Sequence, residues 1–119
     1  MTIEIDFKPL QDIAALQRPN KPSLLAQVVS LFESESPKCI AQILDGVAMD
    51  DIEAIRMGAH SLKSSAANVG AQALSGRCRD IENAARVGDI EQCSELSTEL
   101  MGDFDGSVAA IRMYMERAA

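Results

Sequence analysis

Apolar residues recur along the chain at spacings of three and four, the period of helices that each bury one face. Leu10, Ile13, Ala14 and Leu16 mark a short helix from about Pro9 to Gln17, with proline in its first turn and "RPNKP" after it. A second helix is expected from about Pro22 to Glu35. Ser36 and Pro37 read as an N-cap and first-turn pair for a third, which carries Ile40, Ile43, Leu44 and Val47 and ends near Ala48. The clearest stripe is Ile52, Ile55, Ala59, Leu62, Ala66 and Val69. It is introduced by a capping box of Asp50 and Glu53 and closed by Gly70. Leu74, Cys78, Ile81 and Ala85 form the next stripe, ended by Gly88. Asp89 then caps a last helix through Cys93, Leu96, Leu100, Phe104, Val108, Ile111 and Met115, with a bend expected near Gly102 and Gly106.

Each long helix has an apolar stripe and a polar back, and the connections are only a few residues long. The simplest arrangement that buries four such stripes is an all-α, up-and-down antiparallel four-helix bundle, with the short extra N-terminal helix capping one end. At 119 residues, without an internal repeat or a Pro/Gly/Ser-rich linker, residues 1–119 are expected to be one domain. The low aromatic content, 3%, and the abundance of Ala, Leu, Ile, Met, Ser, Glu and Gln favour helices over strands.

A net charge of −7 argues against nucleic acid or an anionic membrane as partner, since both select for excess Lys and Arg. No apolar run is long enough to span a membrane, and "MTIEIDFKPL" lacks the basic start and apolar stretch of a signal peptide, so a cytoplasmic monomer is expected. The initiator Met and the absence of a flanking linker give the expectation of a free-standing protein. Cys39, Cys78 and Cys93 have no metal-ligand spacing and fall among apolar residues. They read as buried, reduced thiols, and no metal is expected.

Candidate chemistry centres on His60, the single histidine. At 100° per residue, it lies roughly 130° from the mean direction of the stripe from Ile52 to Val69, and so on the solvent side. Helical side chains lean toward the N-terminus, which puts the ring over the turn of Arg56 and Met57, with Lys63 and Ser64 leaning back onto it. Between Arg56 and Arg86 stand five basic residues (Arg56, Lys63, Arg77, Arg79, Arg86) and two acidic ones (Asp80, Glu82). A locally positive surface around an exposed imidazole suits an anion such as a phosphoryl group. Ordinary solvated helix faces would also account for the charges.

The stretch "AHSLKSSAANVGA", Ala59 to Ala71, followed eleven residues past Gly70 by "IENAARVGD", resembles the histidine-containing phosphotransfer (HPt) domains of two-component phosphorelays. That family is an up-and-down four-helix bundle with short extra N-terminal helices. The resemblance implies that His60 accepts a phosphoryl group from a receiver-domain aspartyl phosphate and relays it to another receiver. It further implies that Lys63 contacts the phosphoryl oxygens and that Glu82, where the family often has Gln or Glu, reaches the other ring nitrogen. From that position Glu82 would fix the tautomer that leaves Nε2 as nucleophile. Glu82 lies roughly 65° from its own stripe, a boundary position, and pairing with Arg79 or Arg86 along its own helix is the alternative. Ser64 is the main departure, because the family commonly has Gly there. Its small hydroxymethyl should leave the ring accessible and could donate to phosphate.

Receiver domains of response regulators or hybrid sensor kinases are the implied partners. They would dock over Met57, Ala67 and the exposed parts of Ile13 and Leu16, with Arg56 and Arg79 as rim charges. No cofactor is expected on this chain, Mg²⁺ belonging to the receiver, and no autonomous kinase activity, since a Gly-rich phosphate loop is missing. The rival reading is a helical adaptor that binds a signalling partner without phosphorylation. A histidine-based enzyme is disfavoured because no Ser, Cys or Asp stands at a triad or dyad spacing.

Overall fold

The computed structural model describes residues 5–118, and these form six helices joined by loops, with no strand among them. They are α1 (Lys8–Ala15), α2 (Leu24–Ala48), α3 (Ile52–Asn68), α4 (Gln72–Arg86), α5 (Ile90–Ser97) and α6 (Leu100–Ala118). Met1, on which the expectation of a free-standing chain partly rests, lies outside the described residues. Three-residue connections fold α2, α3, α4 and α5 back on one another. α5 and α6 share the same neighbours, α2 and α4, and together make the fourth arm of the bundle. No described helix is long and apolar enough to cross a membrane.

The two helices expected on either side of Pro37 are a single one of 25 residues. Ser36 is buried inside it, and the N-cap is Ser23, whose Oγ accepts from the Ala26 N–H at 3.1 Å. Proline removes one helical hydrogen bond and crowds the carbonyl four residues back. The buried positions Val29, Phe32, Ser36, Ile40 and Ile43 nevertheless keep one face in register across it, so packing against the bundle holds the helix together.

Two further boundaries differ from expectation. Asp51, not Asp50, caps α3: its Oδ1 accepts from Ala54 N–H at 3.1 Å, while Asp50 takes a left-handed φ of 52° to end the preceding turn. The last helix breaks at Thr98 and Glu99 rather than bending at Gly102 and Gly106. There the hydroxyls of Ser97 and Thr98 donate to the carbonyls of Ser94 (2.9 Å) and Glu95 (2.8 Å), local bonds that compete with a continuous helix.

The core follows most of the stripes read from the sequence and adds Val29 and Phe32 of α2, while Ala14 and Leu16 of the first stripe are exposed. Ile55, Ala59, Leu62, Ala66 and Val69 of α3, and Leu74, Cys78, Ile81 and Ala85 of α4, are all buried. Leu44, by contrast, is 41% exposed, and Cys39 is only half-buried. Burial pushes the Cys78 thiol up to about 12, which keeps it protonated and inert. α1 buries Leu10 and packs on α2. Phe7 stacks on Tyr114 of α6 with ring centroids 4.9 Å apart, and Asp6 N–H donates to the Gly70 carbonyl at 2.9 Å. Gly70 has φ 76°, and a Cβ there would overlap the Asp6 carbonyl, so glycine serves both the end of α3 and the docking of the N-terminal segment.

α2 and α3 approach closely at two glycines. A Cβ on Gly58 would stand 2.9 Å from Ile43 Cγ1 and 3.2 Å from the Cys39 carbonyl, and one on Gly46 2.8 Å from Ile55 Cγ1. Gly102 faces open space. Gly58→Ala is therefore expected to destabilise the protein by about 1–3 kcal/mol through overpacking. Gly102→Ala should leave stability unchanged or raise it by up to about 1 kcal/mol, as helix propensity dictates. Urea denaturation midpoints of both variants against the parent check the pair, and equal midpoints would contradict the close α2–α3 contact.

Candidate functional site

α3 turns Ile55, Gly58, Ala59, Leu62 and Ala66 inward against α2 and α4, and leaves Met57, His60, Ser64 and Ala67 exposed on its opposite face. His60 stands on that face with 58% of its side chain exposed, as its angle from the stripe predicts. Across the α3–α4 contact, Glu82 projects from α4 and is almost completely enclosed, 1% exposed. Its two oxygens are divided between partners. Oε2 lies 2.7 Å from His60 Nδ1 and 3.3 Å from Arg86 Nη2, while Oε1 accepts from Lys63 Nζ at 2.6 Å.

The exposed, self-paired Glu82 of the alternative reading is thus replaced by a buried carboxylate that reaches α3, although Arg86 does join it. Lys63, expected at phosphoryl oxygens, has its ammonium on Glu82. The two helices are also tied by Ser75, a contact that sequence reasoning missed: its Oγ donates to the Lys63 carbonyl at 3.1 Å.

Glu82 is exposed to opposing influences. Desolvation is the largest and raises its pKa. Hydrogen bonds from Lys63 and His60, with the charges of Lys63 and Arg86, outweigh it and hold the carboxyl below the ordinary glutamate range. An ionised carboxylate has no hydrogen to give, so in the neutral ring the bond to His60 places the hydrogen on Nδ1 and leaves the lone pair on Nε2.

The remaining residues singled out in the sequence fall in three places. Ser64 is exposed one turn beyond His60, and among the described residues its hydroxyl makes no protein hydrogen bond. Met57, half-exposed, and Ala67, exposed, share the open face of α3; at 100° per residue both lie within about 60° of His60. Lys63, Ala67 and Arg79 line a shallow groove between α3 and α4 with Gln72, Ser75 and Gly76. Ile13 lies in α1, which packs on α2, and Leu16 is the C-cap of that helix; Ile13 is half-buried and Leu16 is 68% exposed.

The positive surface expected from composition is largely neutralised. Arg56 pairs with Glu53 (Nε to Oε2, 3.1 Å), Arg77 with Asp103 of α6, Arg79 with Asp80 (3.6 Å), and Lys63 and Arg86 share Glu82. Among the described residues no cluster of His, Cys, Asp and Glu is arranged to hold a metal ion.

Comparison with known proteins bears on the family and the fold. A family model described as the Hpt domain matches residues 27–119. Among solved structures, the chain is similar to histidine-containing phosphotransfer protein B (HptB) from Pseudomonas aeruginosa PAO1, with a TM-score of 0.83 and 21% identity over 95% of each chain. It is also similar to the histidine-containing phosphotransfer protein ZmHP2 from maize, with a TM-score of 0.79 and 20% identity over 97% of this chain and 87% of that one. At these identities the likeness shows a shared fold. No curated protein sequence matches the chain.

The lowered pKa of Glu82 has a consequence for acid stability. The folded value lies below the unfolded one, about 4.3, so the contribution of this carboxylate is complete above the unfolded value and is lost as pH falls through the folded one. In denaturation series from pH 7 down to about pH 3, the parent should lose more stability below about pH 5 than Glu82→Gln does. Parallel losses would show that the carboxylate is not held ionised by its partners.

Proposed function

The chain belongs to the Hpt domain family, whose members are phosphocarriers that meet receiver domains in phosphorelays, and on that premise we propose that His60 is its phosphoacceptor. The single observation that carries this reading is the pairing of an exposed imidazole with a buried, ionised carboxylate at its Nδ1, 2.7 Å away. In the forward step the Nε2 lone pair forms a bond to phosphorus of a receiver aspartyl phosphate. The bond from phosphorus to the carboxyl oxygen breaks, and its electron pair returns to the aspartate. The ring keeps its Nδ1 hydrogen and gains positive charge as the bond forms, and Glu82 stabilises that charge from the far side. Transfer to the next receiver reverses these events.

Mg²⁺ belongs to the receiver in this reading, and the chain acts as a carrier without kinase activity of its own. Ser64 leaves the ring open and offers a hydroxyl to a phosphoryl oxygen. Met57 and Ala67 give the receiver an apolar landing beside the ring, with Arg56 and Arg79 at its rim and Ile13 and Leu16 reached from α1. A cytoplasmic location suits such a partner.

Incubation with a receiver domain carrying labelled aspartyl phosphate is expected to move label onto this chain as an acid-labile, base-stable adduct that His60→Gln abolishes. Label that persists in His60→Gln, or none on the parent, would sink the assignment and favour a phosphorylation-independent adaptor. Glu82→Ala should slow transfer about 10- to 100-fold, the usual scale for a group that orients a reactive histidine, while circular dichroism shows the bundle intact.

A further inference from the structure

Lys63 is the residue whose placement departs most from what its position in the motif implies. We infer that Lys63 is a positioning residue: it keeps Glu82 ionised, and through Glu82 sets the tautomer of His60, rather than acting chiefly on the phosphoryl group. The inference rests on the assignment of His60 as phosphoacceptor and adds a division of labour around it.

The geometry carries the argument. A carboxylate with 1% exposure cannot remain charged alone, because the loss of hydration far exceeds what one neutral donor returns. From α3 it is faced by the His60 Nδ1–H, by the Lys63 ammonium and, farther off, by Arg56, which is held by Glu53. From its own helix it is faced by Arg86 and by the protonated Cys78 thiol. Among the cations, Lys63 is the closest, at 2.6 Å against 3.3 Å for Arg86, and the best shielded from water, 30% exposed against 56%. Lys63 also occupies Oε1 and leaves Oε2 to the imidazole, which fixes the rotation of the carboxylate.

Loss of the ammonium has a defined chemical consequence. A neutral Glu82 carries a hydroxyl, and with that hydroxyl at Oε2 the bond to Nδ1 reverses: the carboxyl donates and Nδ1 accepts. The ring hydrogen then moves to Nε2, and the nitrogen that must attack phosphorus has no lone pair to offer. Glutamine at position 82 takes up no proton when the ammonium is lost: with its amide oxygen toward the ring it accepts from Nδ1–H, and it needs no counter-charge to stay there. Lys63 therefore matters only while residue 82 is a carboxylate.

The test is a double-mutant cycle with two readouts. Lys63→Met should slow phosphotransfer about tenfold when residue 82 is Glu, and less than about twofold in the Glu82→Gln background, while Lys63→Arg restores most of the rate in the parent. Imidazole ¹⁵N shifts of His60, read without any phosphoryl donor, should show the Nδ1–H tautomer in the parent and a shift toward Nε2–H in Lys63→Met, but none in Lys63→Met/Glu82→Gln. Equal rate losses in both backgrounds, or an unchanged tautomer in Lys63→Met, would overturn the inference. Because the tautomer is measured on unphosphorylated protein, it judges the inference separately from the transfer assay that judges His60.

Discussion

The buried carboxylate of Glu82 is the constraint on which the site depends. It sits on α4, yet every short bond it makes, apart from that to Arg86, crosses to α3, to His60 Nδ1 at 2.7 Å and Lys63 Nζ at 2.6 Å. Those distances require the two helices to hold one axial register. The fold provides it through the buried stripes on both helices, the Ser75 bond to the Lys63 carbonyl, and the three-residue turn at Gly70 that the N-terminal segment clamps. On the other side, Gly46 and Gly58 let α2 seat closely on α3, which settles which face of α3 is left uncovered. Packing remote from the ring therefore decides where the ring points.

Pairing of the surrounding cations changes the electrostatic setting of His60. Counted along the sequence, five basic residues against two acidic ones suggest a strongly positive approach. In three dimensions Glu53 and Asp103 join the group, giving five cations and four carboxylates. Exposed pairs of this kind contribute little to stability and are screened by salt. The triad of Lys63, Arg86 and Glu82 is different: two partly exposed cations share one buried carboxylate, so a single net positive charge remains next to His60.

How far the sequence could be read depended on whether a feature was local. The stripe from Ile55 to Val69 put His60 on the outside, and the caps at Gly70 and Asp89 are where the turns occur, because periodicity and capping act within a few residues. The assignment of roles to His60, Lys63, Ser64 and Glu82 came from the resemblance of "AHSLKSSAANVGA" to a family and not from spacing. What escaped was decided between helices. Pro37 reads as a helix start until the bundle face that runs through it is known, and the Thr98 break depends on hydroxyl bonds that compete with a weak helix. Lys63 and Glu82, nineteen residues apart, meet only because two stripes share one register, which a boundary angle of roughly 65° on a single helix does not specify.

Under the proposed assignment of His60, access to the ring and preparation of the ring are set by different helices. α3 governs access, since small residues at Ser61, Ser64 and Ala67 leave the Nε2 side open to a partner surface. α4 governs preparation, since Glu82 decides which nitrogen carries the hydrogen. A larger side chain at position 64 would act on docking while leaving the tautomer intact. A neutral group at position 82 would act on the chemistry and leave the docking face unaltered. Lys63 is the residue where the two meet, because its backbone belongs to the docking helix while its ammonium serves the carboxylate of the other. With His60 as the proposed phosphoacceptor, serine beside it is therefore compatible with a competent site: it touches only the half that would admit the partner, and the half that would ready the nucleophile is supplied from across the helix contact.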